Sequence, residues 1–572
     1  MTIDETMFPP LPEEVVRAWV AAGATYGTMQ DDPMGDSIRC RREPLAGMQN
    51  GLPGFTFTKW KLRKAISKEF FESLPIPPTP FGLSLSAHHG FGVARGKLQG
   101  LVRFRETLVE LELWGDSRVH NEFDDFQALH KLRSLGVSST DAMGSLLAPH
   151  LQSLQELESL RVGELDFNVD AARALSELSH LKQLSLKVIQ SVTPDALDVL
   201  ASMKSLTDLS LSLPALTPEV SDSLSRWQCL RHFELLNRPL PDGAFPALGG
   251  LPYLEELKLV NANVTDQSLA ELCRSRSLTR LDLYGAPVTD SGLTALRTVK
   301  SLKSLKIANT PAGTEAIDAI AQLTELQDLE LSETQVKSEH LQSITGLGQL
   351  RSLGLSMTVV RNEGLAHVAQ LSHLSSLNLY GTKVDDDGLL QLLALKNLKS
   401  LDLRATRVTD AGLSRLKGMT SLESMELDVK IITDTGLQNY LSVIRNPRLL
   451  RLQNTRITDA GLSYLVECRN LEYLSLESTK VSSLPGFRQL TNLKMLNLCH
   501  TPLSEEGFDE LSRMQNLITL DLSNLQTPHT VDSLLKLKSL ATLVALAVYS
   551  WPLTPAEIDQ LSAAMPHCKV RN

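Results

Sequence analysis

Few residues in this chain stand where chemistry would need them. The densest candidate is GFGVARGKL, residues 90–98, whose glycines and lysine invite a phosphate-binding reading. A phosphate loop requires G-x-x-x-x-G-K-[ST], so that backbone N–H groups ring the phosphates and a hydroxyl holds the metal. Here Gly90 is one residue too far from Gly96, and Leu98 stands where the hydroxyl belongs. A glycine-rich kinase loop fails as well, because Arg95 takes the place of its third glycine. A turn is the better reading. His88 and His89 are adjacent, and adjacent ligands seldom share one metal; His367 and His373 have no carboxylate at helical spacing. The six cysteines, Cys40, Cys229, Cys273, Cys468, Cys499 and Cys568, form no C-x-x-C pair and mostly adjoin apolar residues. They read as buried free thiols in a reducing compartment. No G-x-S-x-G nucleophile elbow occurs. No catalytic, metal or cofactor residue is therefore assigned, and the chain is expected to be no enzyme.

What the sequence does repeat is structural. Residues 397–420 read NLKSLDLRATRVTDAGLSRLKGMT, and their skeleton returns about every 24 residues. Leu401 and Leu403 alternate with Ser400, Asp402 and Arg404, the period of a strand with one face in a core. Leu413 and Leu416 follow Thr409 and Asp410 at i, i+3 spacing, a helix start. Thr406 stands where a short polar side chain reaches backbone groups left by the turn. Gly412 allows close backbone approach or an unusual φ. The apolar positions of one unit cannot offset the entropy of ordering it, so each unit must stack on its copies.

This pattern resembles the leucine-rich repeat family, whose units run LxxLxLxxN/C-x-L. It is most similar to the 24-residue variant with T-D-x-G-L after the strand, found in bacterial repeat proteins and in the repeats of some F-box proteins. Thr replaces the family's Asn at Thr140, Thr310, Thr334, Thr358, Thr382, Thr406, Thr455, Thr479 and Thr501. The resemblance implies a right-handed α/β solenoid, with a curved parallel β-sheet inside, short helices or turns outside, and a small N-terminal α/β cap. The strand centres are Leu111, Leu135, Leu160, Leu184, Leu209, Phe233, Leu257, Leu281, Leu305, Leu329, Leu353, Leu377, Leu401, Met425, Leu450, Leu474, Leu496, Leu520 and Leu546. Bacterial ubiquitin ligases with such repeats carry a catalytic Cys followed two residues later by Asp. Here those positions hold Arg42, Arg231, Ser275, Asn470, Thr501 and Val570.

Residues 1–80 do not repeat and are expected to form the cap; residues 81–572 form about twenty repeats with a C-terminal edge cover. Pro12 to Gly23 reads as a helix with Val15, Val16, Trp19 and Val20 on one face, and residues 24–54 read as loop. Residues 55–58 alternate as a strand, Lys61 to Leu74 read as a second helix, and Pro75 to Pro80 as a stiff connector. Leu11-Pro12-Glu13-Glu14 resembles the opening of an F-box, but an F-box needs about three helices where this chain enters polar loop. In the step after Leu474 the T-D-x-G-L element is lost at Val481 to Gly486, so a turn is expected there.

Net charge is −10, pI is near 5.8, and no Lys/Arg block occurs, so nucleic acid and anionic membrane are poor partner guesses. No apolar run reaches a membrane span, and the N-terminus lacks a signal pattern. The expectation is a cytoplasmic monomer. Function should lie at solvent-facing strand positions that differ between repeats. The column three residues after each central leucine holds Trp114, Tyr284, Tyr380 and Tyr549 among small residues. Aromatics and Arg are frequent interface anchors. Tyr284 and Tyr380, flanked by Arg280, Asp282, Asp402, Arg404, Glu426 and Asp428, are the candidate partner-binding residues on the concave face. The expected function is a non-enzymatic protein-binding scaffold. The alternative is a substrate-recognition adaptor of a ubiquitin-ligase-like or other modifying complex, docking through residues 1–80.

Overall fold

One rung shows how the sequence builds the others. In the computed structural model Ser400–Asp402 is a short strand, with Leu401 and Leu403 fully buried and Ser400 and Asp402 half-buried. Leu401 pairs in parallel with Leu377 on one side and Met425 on the other. Ala405 then adopts φ 53°, and the Thr406 hydroxyl donates to the Leu403 carbonyl at 2.6 Å. The chain crosses to a helix, Asp410–Arg415, capped by Thr409, whose Leu413 returns to the core.

Described residues are 11–21, 24–31, 38–41, 52–58, 68–87, 98–115, 127–137, 150–165, 167–188, 192–212, 219–236, 239–416, 418–426, 432–441 and 447–571. The chain forms two compact units, Met1–Val264 with Ala270–Leu278, and Thr265–Leu269 with Thr279–Asn572. No described helix is long and apolar enough to cross a membrane.

In the first unit the parallel stack starts with Pro53–Thr58 and Phe81–Ala87, then runs through the strands of Leu111, Leu135, Leu160, Leu184, Leu209, Phe233 and Leu257. Residues 24–54, expected as loop, contain two strands instead. Thr25–Asp31 pairs antiparallel with both Ile38–Arg41 and Pro53–Thr58. Backbone pairing at a sheet edge needs no hydrophobic alternation, so composition did not announce it. The first helix, Glu13–Ala21, brings Trp19 against Phe55, stacked at 4.4 Å, and edge-on to Phe81 at 5.6 Å. Trp19 Nε1 donates to the Pro75 carbonyl at 2.9 Å. Lys68–Glu72 is helical, while residues 61–67 of the expected second helix lie outside the described residues.

The second unit holds the strands of Leu281 through Leu546, each in parallel register with the next, and Lys569–Arg571 closes the stack beside Ala545–Ala547. The threonine column behaves alike throughout: Thr310, Thr334, Thr358, Thr382, Thr455, Thr479 and Thr501 each donate to the carbonyl three residues back. Thr140 lies outside the described residues. The residue before this threonine takes positive φ in rung after rung, as Asn309, Glu333, Met357, Gly381, Asn454, Ser478 and His500 show. After Leu474 the outer segment shrinks to one 3₁₀ turn, Phe487–Gln489, entered through Gly486 at φ 78°.

The T-D-x-G element joins successive rungs. Asp386 accepts from the backbone N–H of Thr409 at 2.7 Å and from its hydroxyl. Asp266 does the same for Thr289, Asp410 for Thr433 and Asp434 for Thr458. A Cβ at Gly292, Gly412, Gly436 or Gly461 would collide with that carboxylate, so glycine is there for close approach.

Candidate partner-binding surface

Within the second unit, each strand buries its central residue and, among the described residues, the residue two further on. Most residues just before, just after and three after the centre are half-buried or exposed, with Gly354, Ser475, Ala308 and Ser523 buried among them. The third column is held in register by backbone bonds: Gly285 N–H to Ala308, Asn309 N–H to Ser332, Glu333 N–H to Ser356, Met357 N–H to Tyr380 and Gly381 N–H to Arg404. Tyr284 and Tyr380 therefore stand four rungs apart, roughly 19 Å at a strand spacing of about 4.8 Å. Tyr284 is 37% exposed and Ala308 is buried.

Four of the expected residues come together. The Arg404 guanidinium lies over the Tyr380 ring, 5.3 Å from its centroid. Its Nε and Nη2 donate to Asp402 at 3.0 and 2.6 Å, and Nη2 also meets Glu426 at 2.7 Å. Glu426 is shared with Arg451, which in turn lies 5.2 Å over the Tyr473 ring. The result is a run from Tyr380 to Tyr473 across five rungs, with two cations and two anions. Its carboxylates are 13% and 17% exposed, so the pairs are partly desolvated and the two rings are braced before any partner arrives. Sequence reasoning missed Arg451 and Tyr473. Arg451 occupies the same column as Asp402 and Glu426, and opposite charges in neighbouring units of one column were the available signal.

Arg280, Asp282 and Tyr284 form a separate group on the Leu281 strand, and Asp428 lies outside the described residues. Asp282 and Asp402 also have a local role that their selection as surface charges overlooked. Each accepts the backbone N–H two residues on at 3.0 Å. Asn378, Asn497 and Asp521 do likewise. The strand has ended there, and the side chain satisfies an N–H that no neighbouring carbonyl reaches.

Elsewhere on this face, burial raises the Asp328 carboxyl against the opposing pull of Lys306 and Arg351. Burial pushes the Cys273 and Cys468 thiols up to about 12, which removes their nucleophilic form at neutral pH. Cys229 and Cys499 differ from the expected buried thiols and are half-exposed; at Cys499, on the strand face, partial burial raises the thiol too. His88 and His89 lie outside the described residues, and His373 is exposed.

Neither the known protein families nor the curated proteins return a match to this sequence. Solved structures do. TLR13, in its complex with ssRNA13, superposes with a TM-score of 0.50 over 86% of this chain and 73% of its own, at 18% identity. The fold is that of a leucine-rich repeat protein. An internalin, inlF, from Listeria monocytogenes aligns at 23% identity over 58% of this chain and 89% of its own, with a TM-score of 0.43. A leucine-rich repeat protein of Leptospira interrogans aligns at 17% identity over 86% and 90%, with a TM-score of 0.29. At 18% identity the likeness to TLR13 extends to the leucine-rich repeat architecture and no further.

Proposed function

We propose that this leucine-rich repeat chain is a non-enzymatic scaffold that binds a partner protein on the solvent-facing side of its second-unit strands. The observation that carries the reading is the Tyr380–Arg404–Glu426–Arg451–Tyr473 run. Arginine and tyrosine are the side chains most often found as interface anchors, and here both rings are held in place by guanidinium groups. Pre-ordering of this kind lowers the entropy lost on association. The ssRNA of the TLR13 complex belongs to that protein. In this chain the run is charge-balanced, which suits a mixed-charge protein surface better than a phosphodiester backbone.

The packing of Trp19 on Phe55 and Phe81 supports an end-cover role for the N-terminal region, rather than a separate docking module for a modifying complex. Free thiols at Cys229, Cys273, Cys468, Cys499 and Cys568 fit a reducing, cytoplasmic setting. A monomeric scaffold completes the proposal.

Affinity purification from the native cell identifies the partner, and quantitative binding to Tyr380→Ala/Tyr473→Ala then tests the surface. Affinity should fall by ~2 kcal/mol or more, with the melting transition held within about 1 kcal/mol. Undiminished affinity for the same partner would move the site off this face.

A further inference from the structure

No Lys/Arg block exists in the sequence, yet folding assembles a row of cations from residues spaced through several repeats. The position six residues after the strand centre is Lys383, Arg407, Arg456 and Lys480 in the rungs of Leu377, Leu401, Leu450 and Leu474. Backbone bonds stack these positions in register along one flank. The N–H of Lys383 donates to Val360 at 3.0 Å, and that of Arg407 to Val384 at 2.9 Å. The N–H of Arg456 donates to Ile432 at 2.7 Å, and that of Lys480 to Ile457 at 2.9 Å. The residue after each cation is a buried Val or Ile, so alternation turns the cation outward. The equivalent position of the Met425 rung is Ile431, which lies outside the described residues, so the row consists of two pairs of cations with one uncharged position between them.

Three features set the row apart from ordinary solvated charge. First, among the described residues none of these four side chains has an ion pair or hydrogen bond. Some other basic side chains of the same unit are paired, as Lys399 with Glu423 at 2.9 Å and Arg448 with Glu472 at 2.8 Å show, while Lys396 and Arg488 share the row's lack of a partner. The aspartates at the neighbouring helix starts, Asp386 and Asp459 among them, direct their oxygens to the next rung's Thr or Ser. Second, the row is bounded. The same position is Pro287, Pro311 and Gln335 on earlier rungs, and Pro502, Gln526 and Pro552 on later ones. Third, an apolar seat adjoins its first member. Val359 holds this position on the Leu353 rung and is 44% exposed, beside Met357, which is 55% exposed. Met357 also sits at φ 55°, a left-handed conformation that costs a side-chain-bearing residue, as Glu333, Ala405, Ser478 and His500 do on other rungs.

We propose that this flank docks an extended acidic peptide segment of a partner protein, its carboxylates along Lys383 to Lys480 and an apolar residue at one end on Met357 and Val359. Four rung spacings of about 4.8 Å span roughly 19 Å, the reach of about six extended residues. A single-stranded nucleic acid would need aromatic platforms for its bases, and the positions four to six after these strand centres carry none. The net charge of −10 also repels a long polyanion beyond the strip. This docking strip is separate from the strand face and stands without it.

Fluorescence anisotropy on the full chain tests the proposal, with a labelled peptide of alternating glutamate and serine as the probe, carrying leucine at its N-terminal end, at its C-terminal end, or nowhere. One leucine-bearing peptide should bind, weakening as salt rises. Arg407→Glu/Arg456→Glu should lower its affinity about tenfold or more, and Arg407→Gln/Arg456→Gln by a smaller factor. The glutamine variant carries the test should the charge reversal unfold the chain. Met357→Ser/Val359→Ser should weaken the leucine-bearing peptide and leave the leucine-free one unchanged. Absence of binding at low salt, or equal affinity in the charge variants, overturns the strip. An oligouridylate of matched charge that binds more tightly and displaces the peptide overturns the peptide as its occupant.

Discussion

The carboxylate of Asp386 occupies the space that a Cβ on residue 412 would need, so Gly412 and Asp386, one rung apart, fit only because glycine has no side chain. The same carboxylate holds Thr409. Acid, threonine and glycine therefore act as one joint between repeats.

That joint has a thermodynamic signature. Gly412→Ala should destabilise the chain by about 1–3 kcal/mol through overpacking, and Asp386→Ala by about 1.5–3 kcal/mol through lost charged hydrogen bonds. In the double variant the added methyl no longer meets a carboxylate, so the combined loss should fall short of the sum by about 1 kcal/mol. Urea unfolding of the four proteins measures this. Strict additivity, within about 0.5 kcal/mol, would show that the two residues do not touch.

Met357 offers a test in the opposite direction. Its φ of 55° suits Asn, and its side chain is largely in solvent. Met357→Asn should therefore raise stability by up to about 1 kcal/mol. A lower denaturation midpoint would mean that the thioether, which lies close above Gly381, contributes more packing than its exposure suggests.

Glu505 makes the outer side of the last rungs acid-sensitive. Hydrogen bonds from Lys536 and Ser533 outweigh burial and hold its carboxyl at about 2, against an ordinary value of 4.5. A depressed acid stabilises the fold in full above its unfolded value, and that contribution is lost as pH falls from about 4.5 toward 2. Glu505→Gln should be less stable than the parent near neutrality, and the two curves should converge in acid. Parallel curves across that window would remove Glu505 as the cause. Glu505 is more than half exposed, so the gap should be small and should shrink further with salt.

Trp19 closes the N-terminal edge. Trp19→Ala removes a fully buried side chain lying against Phe55, Phe81 and Phe104, with an expected loss of about 3–5 kcal/mol from that end. Limited proteolysis should then cut the N-terminal region first, and the trimmed chain should self-associate through the bared aromatics. A trimmed chain that stays monomeric and equally stable argues that the edge needs no cover.

The repeat itself was legible because burial and hydrogen bonding act on residue type. The leucine pairs, the threonine column and T-D-x-G-L each follow from a core position, an orphan carbonyl or a close approach. The left-handed turn residue was not legible, because Asn, Glu, Met, Ala, Ser and His all occupy it and only their φ is shared. Strands at Thr25–Asp31 and Ile38–Arg41 escaped for the same reason, being set by backbone pairing. Of the residues proposed for the surface, Tyr380, Asp402, Arg404 and Glu426 could be named from the sequence one by one, while Arg451 and Tyr473 needed the register to be seen as their neighbours. The Lys383–Lys480 row shows the limit most plainly. Adjacent members are separated by 24 or more residues of chain, and only stacking makes them a surface.

The Asp–Thr–Gly joint also bears on how such a chain grows. Every repeat with the full element donates an acid forward and receives one from behind. Within the stretch from Asp386 to Gly461, excising one full period, or copying one in, would leave each acid with a threonine to hold and a glycine to clear it. A cut at any other length would strand one half of a joint. Gene duplication in whole periods is thus the change this architecture absorbs most readily, and the length of the array is free to drift while its phase is not.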